Sequence, residues 1–249
     1  MTLHTVPQHH NKSPRNYERA VYLTATAISL LSVLYLISVK VVGRSWLSFV
    51  RIDSSSSELT LSLIQCLLGA AVLNAPRLLT RLTKIKVPAA LSTCFYVFVL
   101  CATVLGEMFA LYYRIAVWDS ILHVASGIMS GMLGGILCVE FLRRTDCEKL
   151  ISPALIAVAA GAFAICLGVV WEVYEFAGDS LLGLNMQKCL LEDGTALIGN
   201  AAVFDTMKDL ILDGLGGGVA AIGAYRSVRR ELRNPAVPTP IPEELKQSA

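Results

Sequence analysis

The chain has 249 residues, of which 55% are hydrophobic and only 16% charged, with a net charge of +2 and a mean hydropathy of +0.60. A water-soluble domain carries roughly a quarter charged residues, so most of this surface must face something other than water. The near-neutral balance, with no aromatics interleaved among basic residues, excludes a nucleic-acid binder.

Residues 1–19 form a polar tail with His4, His9 and His10. No small-residue cleavage pattern follows the first apolar run, so that run is expected to be retained as a helix. A crossing needs about 20 apolar residues. Six segments supply this or nearly so: Ala20–Val42, Leu59–Ala75, Ala89–Tyr113, Trp118–Leu142, Pro153–Ala177 and Asp205–Tyr225. The tight turn at Arg114 makes the third and fourth an antiparallel hairpin. The fold class is therefore all-α, a polytopic transmembrane bundle of about six spans across residues 20–226. Residues 227–249 form a basic, then proline-rich tail expected to be disordered after Arg233.

Basic residues set the orientation, because cytoplasmic loops are enriched in them. Arg15 and Arg19 precede the first span, Arg77, Arg81, Lys84 and Lys86 follow the second, Arg143, Arg144 and Lys149 the fourth, and Arg226, Arg229, Arg230 and Arg233 the sixth. With six spans these share one side, which puts both termini in the cytoplasm and the chain in the cytoplasmic (inner) membrane. Trp46, Trp118 and Trp171 fall at the opposite interface, where amphipathic rings prefer to sit.

Seven cysteines are an odd count, which argues against a fully paired disulfide framework; none forms a CxxC pair, and most fall in apolar runs and read as packing residues. Gly127, Gly131 and Gly135 recur every four residues in the fourth span. Ala160, Ala164 and Gly168 do so in the fifth, and the sixth carries Gly214 and Gly216–Gly218. Such stripes let helix backbones approach closely in lipid.

Ionisable residues inside spans are costly and face protein or water-filled cavities. Glu107, Asp119, His123, Glu172, Glu175, Asp205, Asp209 and Asp213 all fall in the outer halves of spans three to six. At about 1.5 Å per residue, Glu107, His123, Glu172 and Asp209 lie roughly 7–9 Å deep, with Asp119, Glu175 and Asp205 shallower. Asp213 is deeper, about 12 Å along the helix from Asp205, so Asp205 and Asp213 form a second tier that one ion cannot bridge. The local cations are Lys208, Arg114 and His123. So many carboxylates must be protonated, paired or bound to cations. Asp119, His123, Glu172 and Asp209 are the candidate ligands of a divalent metal ion, with Glu175 and Glu107 as acid or base. Oxygen ligands with one imidazole suit Mg, Mn, Zn or Fe(II). Asp119 and Asp205 also stand where helices begin and have an alternative reading as caps of backbone N–H groups. Between spans five and six, residues 178–204 form a long outer loop, a length typical of lids or binding segments.

The stretches WDSILH (Trp118–His123), WEVYEFAGD (Trp171–Asp179), NMQ (Asn185–Gln187) and DTMKDLILDGLGG (Asp205–Gly217) resemble the YjdF-like family of bacterial membrane proteins. The likeness covers roughly residues 107–218. It implies the helical membrane fold but no activity, since that family has none assigned. A looser likeness is to VanZ-like envelope proteins. Asp119 with His123, Gly168 with Glu172, and Asp209 with the glycines after it match their pattern, while Glu175 and Asp213 depart from it.

Three functions compete. One is a metal-dependent enzyme acting on membrane lipid or a lipid-linked envelope substrate. A second is a cation- or proton-coupled transporter, disfavoured because the acids lie to one side of the midplane. The third is a non-catalytic scaffold or regulator whose polar cluster only joins helices.

Overall fold

The computed structural model describes residues 14–43, 45, 47, 56–191 and 194–234. The histidines of the N-terminal tail, Trp46 and the prolines of the C-terminal tail lie outside the described residues. The helices are α1 (Pro14–Val42), α2 (Ser56–Val72), α3 (Ala75–Thr83), α4 (Ala89–Leu100), α5 (Leu111–Arg114), α6 (Trp118–Arg144), α7 (Pro153–Leu182) and α8 (Phe204–Arg233). Among the described residues the only β-type pairing is an isolated bridge between Leu190 and Ala196. All seven cysteines are free.

Among the described residues five helical stretches are long and apolar enough to cross a membrane, ending with α6 and α7. The acids and bases of α8 make it less apolar, yet its 30 residues reach about 45 Å, and it packs against both α6 and α7. Six crossings fit this arrangement.

Local sequence sets the helix ends. The Ser152 hydroxyl accepts the Leu155 N–H at 3.2 Å, and Pro153 follows at the first helical position, which starts α7. Gly183 ends it in the left-handed region at φ 64°, with its N–H bonded to the Asp179 carbonyl. The path breaks between α2 and α3 just before Pro76, which has no N–H to continue the ladder. The third span differs from expectation. After Leu100 it loosens into a π-helix over Cys101–Met108, and Phe109 N–H reaches back five residues to the Val104 carbonyl. Ala110 then turns left-handed at φ 57° and detaches α5, so the span ends short of Tyr113. At the other end of the sequence, α8 stays helical to Arg233.

The helices form two sub-bundles. In the first, α1 packs on α2 and α4, with one core around Leu36, Cys66 and Met108 and another around Leu73, Tyr96 and Val99. In the second, α6, α7 and α8 pack in extensive mutual contact. Glycines bring their backbones together. A Cβ on Gly127 would stand 2.3 Å from the Asp213 carbonyl oxygen, and one on Gly216 would stand 2.4 Å from that of Val124. Gly131 faces Ala220 and Ala160, while Gly135 leaves ordinary contact distances to Ile156, Ala160 and Ala224. These pairings run in the same direction for α6 and α8 and in the opposite direction for α7. Thus α6 and α8 are parallel, with α7 antiparallel to both.

Both α6 and α8 begin at one end of the bundle, here the acidic end. The opposite, basic end holds the start of α1, all of α3 and the last turns of α6 and α8. There Arg144 donates to the Thr83 carbonyl, and Arg143 pairs with Glu231 at 3.7 Å.

Candidate metal centre

On α6, Asp119 and His123 stand one turn apart; on α8, Asp205, Asp209 and Asp213 do the same. Because the two helices are parallel and held close by glycines, these rows face each other. The His123 ring bridges them. Its Nδ1 lies 3.1 Å from Asp213 Oδ2, while its Nε2 lies 3.6 Å from Asp119 Oδ1 and 3.7 Å from Asp209 Oδ2. His123, Asp209 and Asp213 are buried.

Asp119, His123 and Asp209 can each offer a ligand atom, with all three atoms within 4.8 Å of one another. Asp213 stands behind the imidazole. One of its oxygens faces Nδ1, and the other accepts the Ser126 hydroxyl at 2.6 Å. A carboxylate bound to the far nitrogen of a metal-ligating histidine fixes the ring and raises its basicity. Asp213 therefore belongs against His123, not to a separate deeper tier. Depth counted along each helix missed this because parallel neighbours meet sideways. Gly168 of α7 makes the room: a Cβ there would stand 2.6 Å from Asp213 Oδ2.

Glu172 and Glu175 come from α7 and are both buried. Among the described residues neither Glu172 oxygen meets a donor in close hydrogen-bond geometry. Thr206 and Gln187 stand against it as donors, and the Gln187 amide also donates to the Thr206 hydroxyl at 2.9 Å. Glu175 Oε1 accepts the Trp171 indole N–H at 2.8 Å. Glu107, on the π-helical segment, is near enough to Asp119 and Lys188 for their charges to interact, but is not one of the three clustered ligands.

Asp119 and Asp205 do not cap their helices. The N-cap positions are Val117 and Val203, and no side chain caps either end. Their carboxylates are held by lysines instead. Lys188 Nζ lies 2.5 Å from Asp119 Oδ2 and 3.0 Å from Asp205 Oδ2; Lys208 Nζ lies 2.8 Å from Asp205 Oδ1 and 3.4 Å from Asp209 Oδ1. Asp205 is thus tied into a lysine network at the mouth of the site.

Lys188 was not among the cations counted from the sequence. Its position depends on the fold of the loop between α7 and α8. The Asp179 carboxylate accepts the N–H groups of Met186 and Gln187 at 2.7 and 3.0 Å. Asn185 holds the loop's next turn through both the N–H and the carbonyl of Leu190. Lys188 itself sits left-handed at φ 51°, and the turn delivers its side chain to the two aspartates. Burial pulls its ammonium toward lower pKa, but Asp119 and then Asp205 outweigh burial and hold it above the ordinary lysine value. Ser126 was also missed, since a serine in an apolar helix gives no signal of its partner.

A family of membrane proteins, described as Predicted membrane protein (DUF2238), matches residues 28–230. The chain belongs to this family. An uncharacterised protein of Thermotoga maritima is 28% identical over 153 residues, covering 61% of this chain and 70% of its own. No solved structure matches. Membership in DUF2238 agrees with the multi-pass helical fold, and every residue of the cluster on α6, α7 and α8 falls within the matched stretch.

Proposed function

We propose that this DUF2238 protein is a metal-dependent enzyme of the cytoplasmic membrane, acting on a lipid or lipid-linked substrate at the outward-facing acidic end. The observation that carries the reading is the cluster of Asp119, His123 and Asp209, whose ligand atoms all lie within 4.8 Å of one another at a largely buried place in the bundle. Carboxylates gathered this closely in a buried site are expensive, and a cation between them removes part of that cost. The donor set of carboxylates with one imidazole fits a divalent ion. Asp119, His123 and Asp209 would hold the ion, with Glu172 beside it and Asp213 orienting the ring. When bound, such an ion lowers the pKa of a coordinated water and polarises an oxygen of the substrate. Glu175, held by the Trp171 indole, is the general acid or base in this reading, and Glu107 is the second candidate.

The substrate class rests on position. The cluster lies toward one end of a bundle whose outer faces are apolar, so a substrate anchored in lipid is the class that approaches it without leaving the membrane. The YjdF-like resemblance of the same four motifs is consistent with this and adds no chemistry, and the VanZ-like likeness is too broken to transfer a resistance role. One observation favours a purely structural cluster: Lys188 and Lys208 already neutralise part of the charge.

Elemental analysis of the detergent-purified protein separates the two. One divalent ion per chain is expected in the wild type, lost in His123→Ala. A metal-free wild type after purification without chelators ends the enzyme reading and leaves the structural one.

A further inference from the structure

We propose that the recess between α1 and α3 at the basic end is a binding site for the phosphate headgroup of an anionic membrane phospholipid. It is independent of the acidic site and lies at the other end of the bundle.

The recess has a volume of about 560 Å³. Three guanidinium groups line it, those of Arg19, Arg77 and Arg81, and no carboxylate does. Glu18, the acid nearest in sequence, is turned to the Tyr96 hydroxyl at 3.4 Å. An arginine fork matches two phosphate oxygens at once, which makes it the preferred phosphate ligand. One of the three is already held in place. The Arg77 guanidinium lies 3.1 Å over the centre of the Tyr22 ring. That ring is itself fixed, because its hydroxyl donates to Asn74 Oδ1 at 2.8 Å and it meets Tyr96 edge-on at 5.4 Å. A cation held on an aromatic face loses little freedom when an anion arrives.

A second observation identifies the ligand as a lipid and not as free phosphate. The helix α3 buries none of its residues within the protein. Leu78 and Leu82, one turn apart on it, are 53% and 74% exposed, and Leu23 on the facing wall is 54% exposed. Arg77 and Arg81 occupy the adjacent face at the same spacing. A short helix with leucines on one side and arginines on the next lies in a membrane interface, its apolar face in the acyl region and its charges at headgroup level. The recess therefore offers apolar contact for a chain directly below cationic contact for a phosphate. Basic recesses of this kind recruit anionic lipid from the leaflet they face.

The test uses delipidated full-length protein in detergent, with native mass spectrometry reading lipid retained after addition of phosphatidylglycerol or phosphatidylcholine. Wild type should hold phosphatidylglycerol in preference to phosphatidylcholine. The double variant Arg77→Ala/Arg81→Ala should lose phosphatidylglycerol retention by about 30-fold, from the removal of two interfacial cations, with phosphatidylcholine unaffected. Arg229→Ala/Arg230→Ala, which removes the same charge from the same end of the bundle, should retain wild-type binding. Equal loss in both double variants would mean that net charge alone attracts the lipid, and would overturn the site. So would unchanged retention in Arg77→Ala/Arg81→Ala, or displacement of the lipid by millimolar inorganic phosphate.

Discussion

The two sub-bundles are both built of long membrane-spanning helices but bury opposite kinds of polar group. The first hides hydroxyls and an amide, on Ser29, Ser32, Gln65, Ser92 and Thr103; the second hides His123, Glu172, Glu175, Asp209 and Asp213. A hydroxyl in a helix can be satisfied by its own backbone, as Thr103 is by the Val99 carbonyl at 2.8 Å. An ionised carboxylate cannot. Glu175 finds a donor on its own helix, but Asp209 and Asp213 meet theirs across helices, so the second sub-bundle must hold its backbones in fixed register. The glycines supply that register. Polar burial in the first half can be met locally, as at Thr103, whereas around Asp213 it is shared between helices and depends on how they pack.

The sharpest way to break this contrast is to spoil the register. Gly127→Ala and Gly216→Ala place a methyl group against neighbouring backbone, which cannot move aside. Each should cost about 3 kcal/mol or more, read as a lowered Tm in detergent. Gly218→Ala, with nothing within 4 Å of its Cβ, should stay within about 1 kcal/mol of wild type. Equal effects from all three would show that close approach is not what holds α6 to α8.

Asp213→Ala comes next. It strips the acceptor from His123 Nδ1 and from the Ser126 hydroxyl together, at a cost of about 2 kcal/mol. It should also weaken divalent-ion affinity by about 10- to 100-fold, measured by titration of the ion into the purified variant. Full affinity in this variant would remove Asp213 from its orienting role.

Lys188→Met should have a smaller effect, below about 1 kcal/mol, because its side chain is 44% exposed and solvent screens such pairs. The pH dependence has a definite sign. The folded-state pKa of Lys188 is raised, so its contribution is complete below the unfolded lysine value of about 10.4. It is lost as pH climbs through the raised folded value. The gap in Tm between wild type and Lys188→Met should therefore be flat across neutral pH and close in strong alkali, and it also closes in acid once Asp119 and Asp205 are protonated. A gap closing near neutrality would place the latch elsewhere.

The smallest effect is expected from the first sub-bundle. The Ser29 hydroxyl is buried without a partner, so Ser29→Ala should change stability by less than about 0.5 kcal/mol or raise it slightly. A loss as large as that of Asp213→Ala would erase the distinction between the two halves.

The spans were readable because a bilayer imposes one simple rule on composition, and the acidic cluster because it breaks that rule. The glycine spacing in α6 was readable too, since period four marks one helix face. Three features were not. The π-helical turn before Glu107 leaves no mark in residue type, because its apolar residues suit an α-helix equally well. Asp213 was assigned to the wrong neighbours because distance along one helix says nothing about what a parallel helix presents beside it. Lys188 lay hidden in a loop, where partners are chosen by turn geometry and not by periodicity. A lysine nine residues beyond Asp179 shows its role only once the Asp179 carboxylate is seen gripping the chain between them.

The parallel course of α6 and α8 carries one last consequence. Two neighbours pointing the same way oblige the chain to return through α7 and re-enter beside the aspartates, so the turn that carries Lys188 borders the cluster. That wiring divides labour. The helices, locked by glycines, tolerate little alteration, while the crossing segment can be lengthened, shortened or recharged at small structural expense. Diversity in what this architecture admits at its acidic mouth would accumulate in that one stretch, leaving the scaffold untouched.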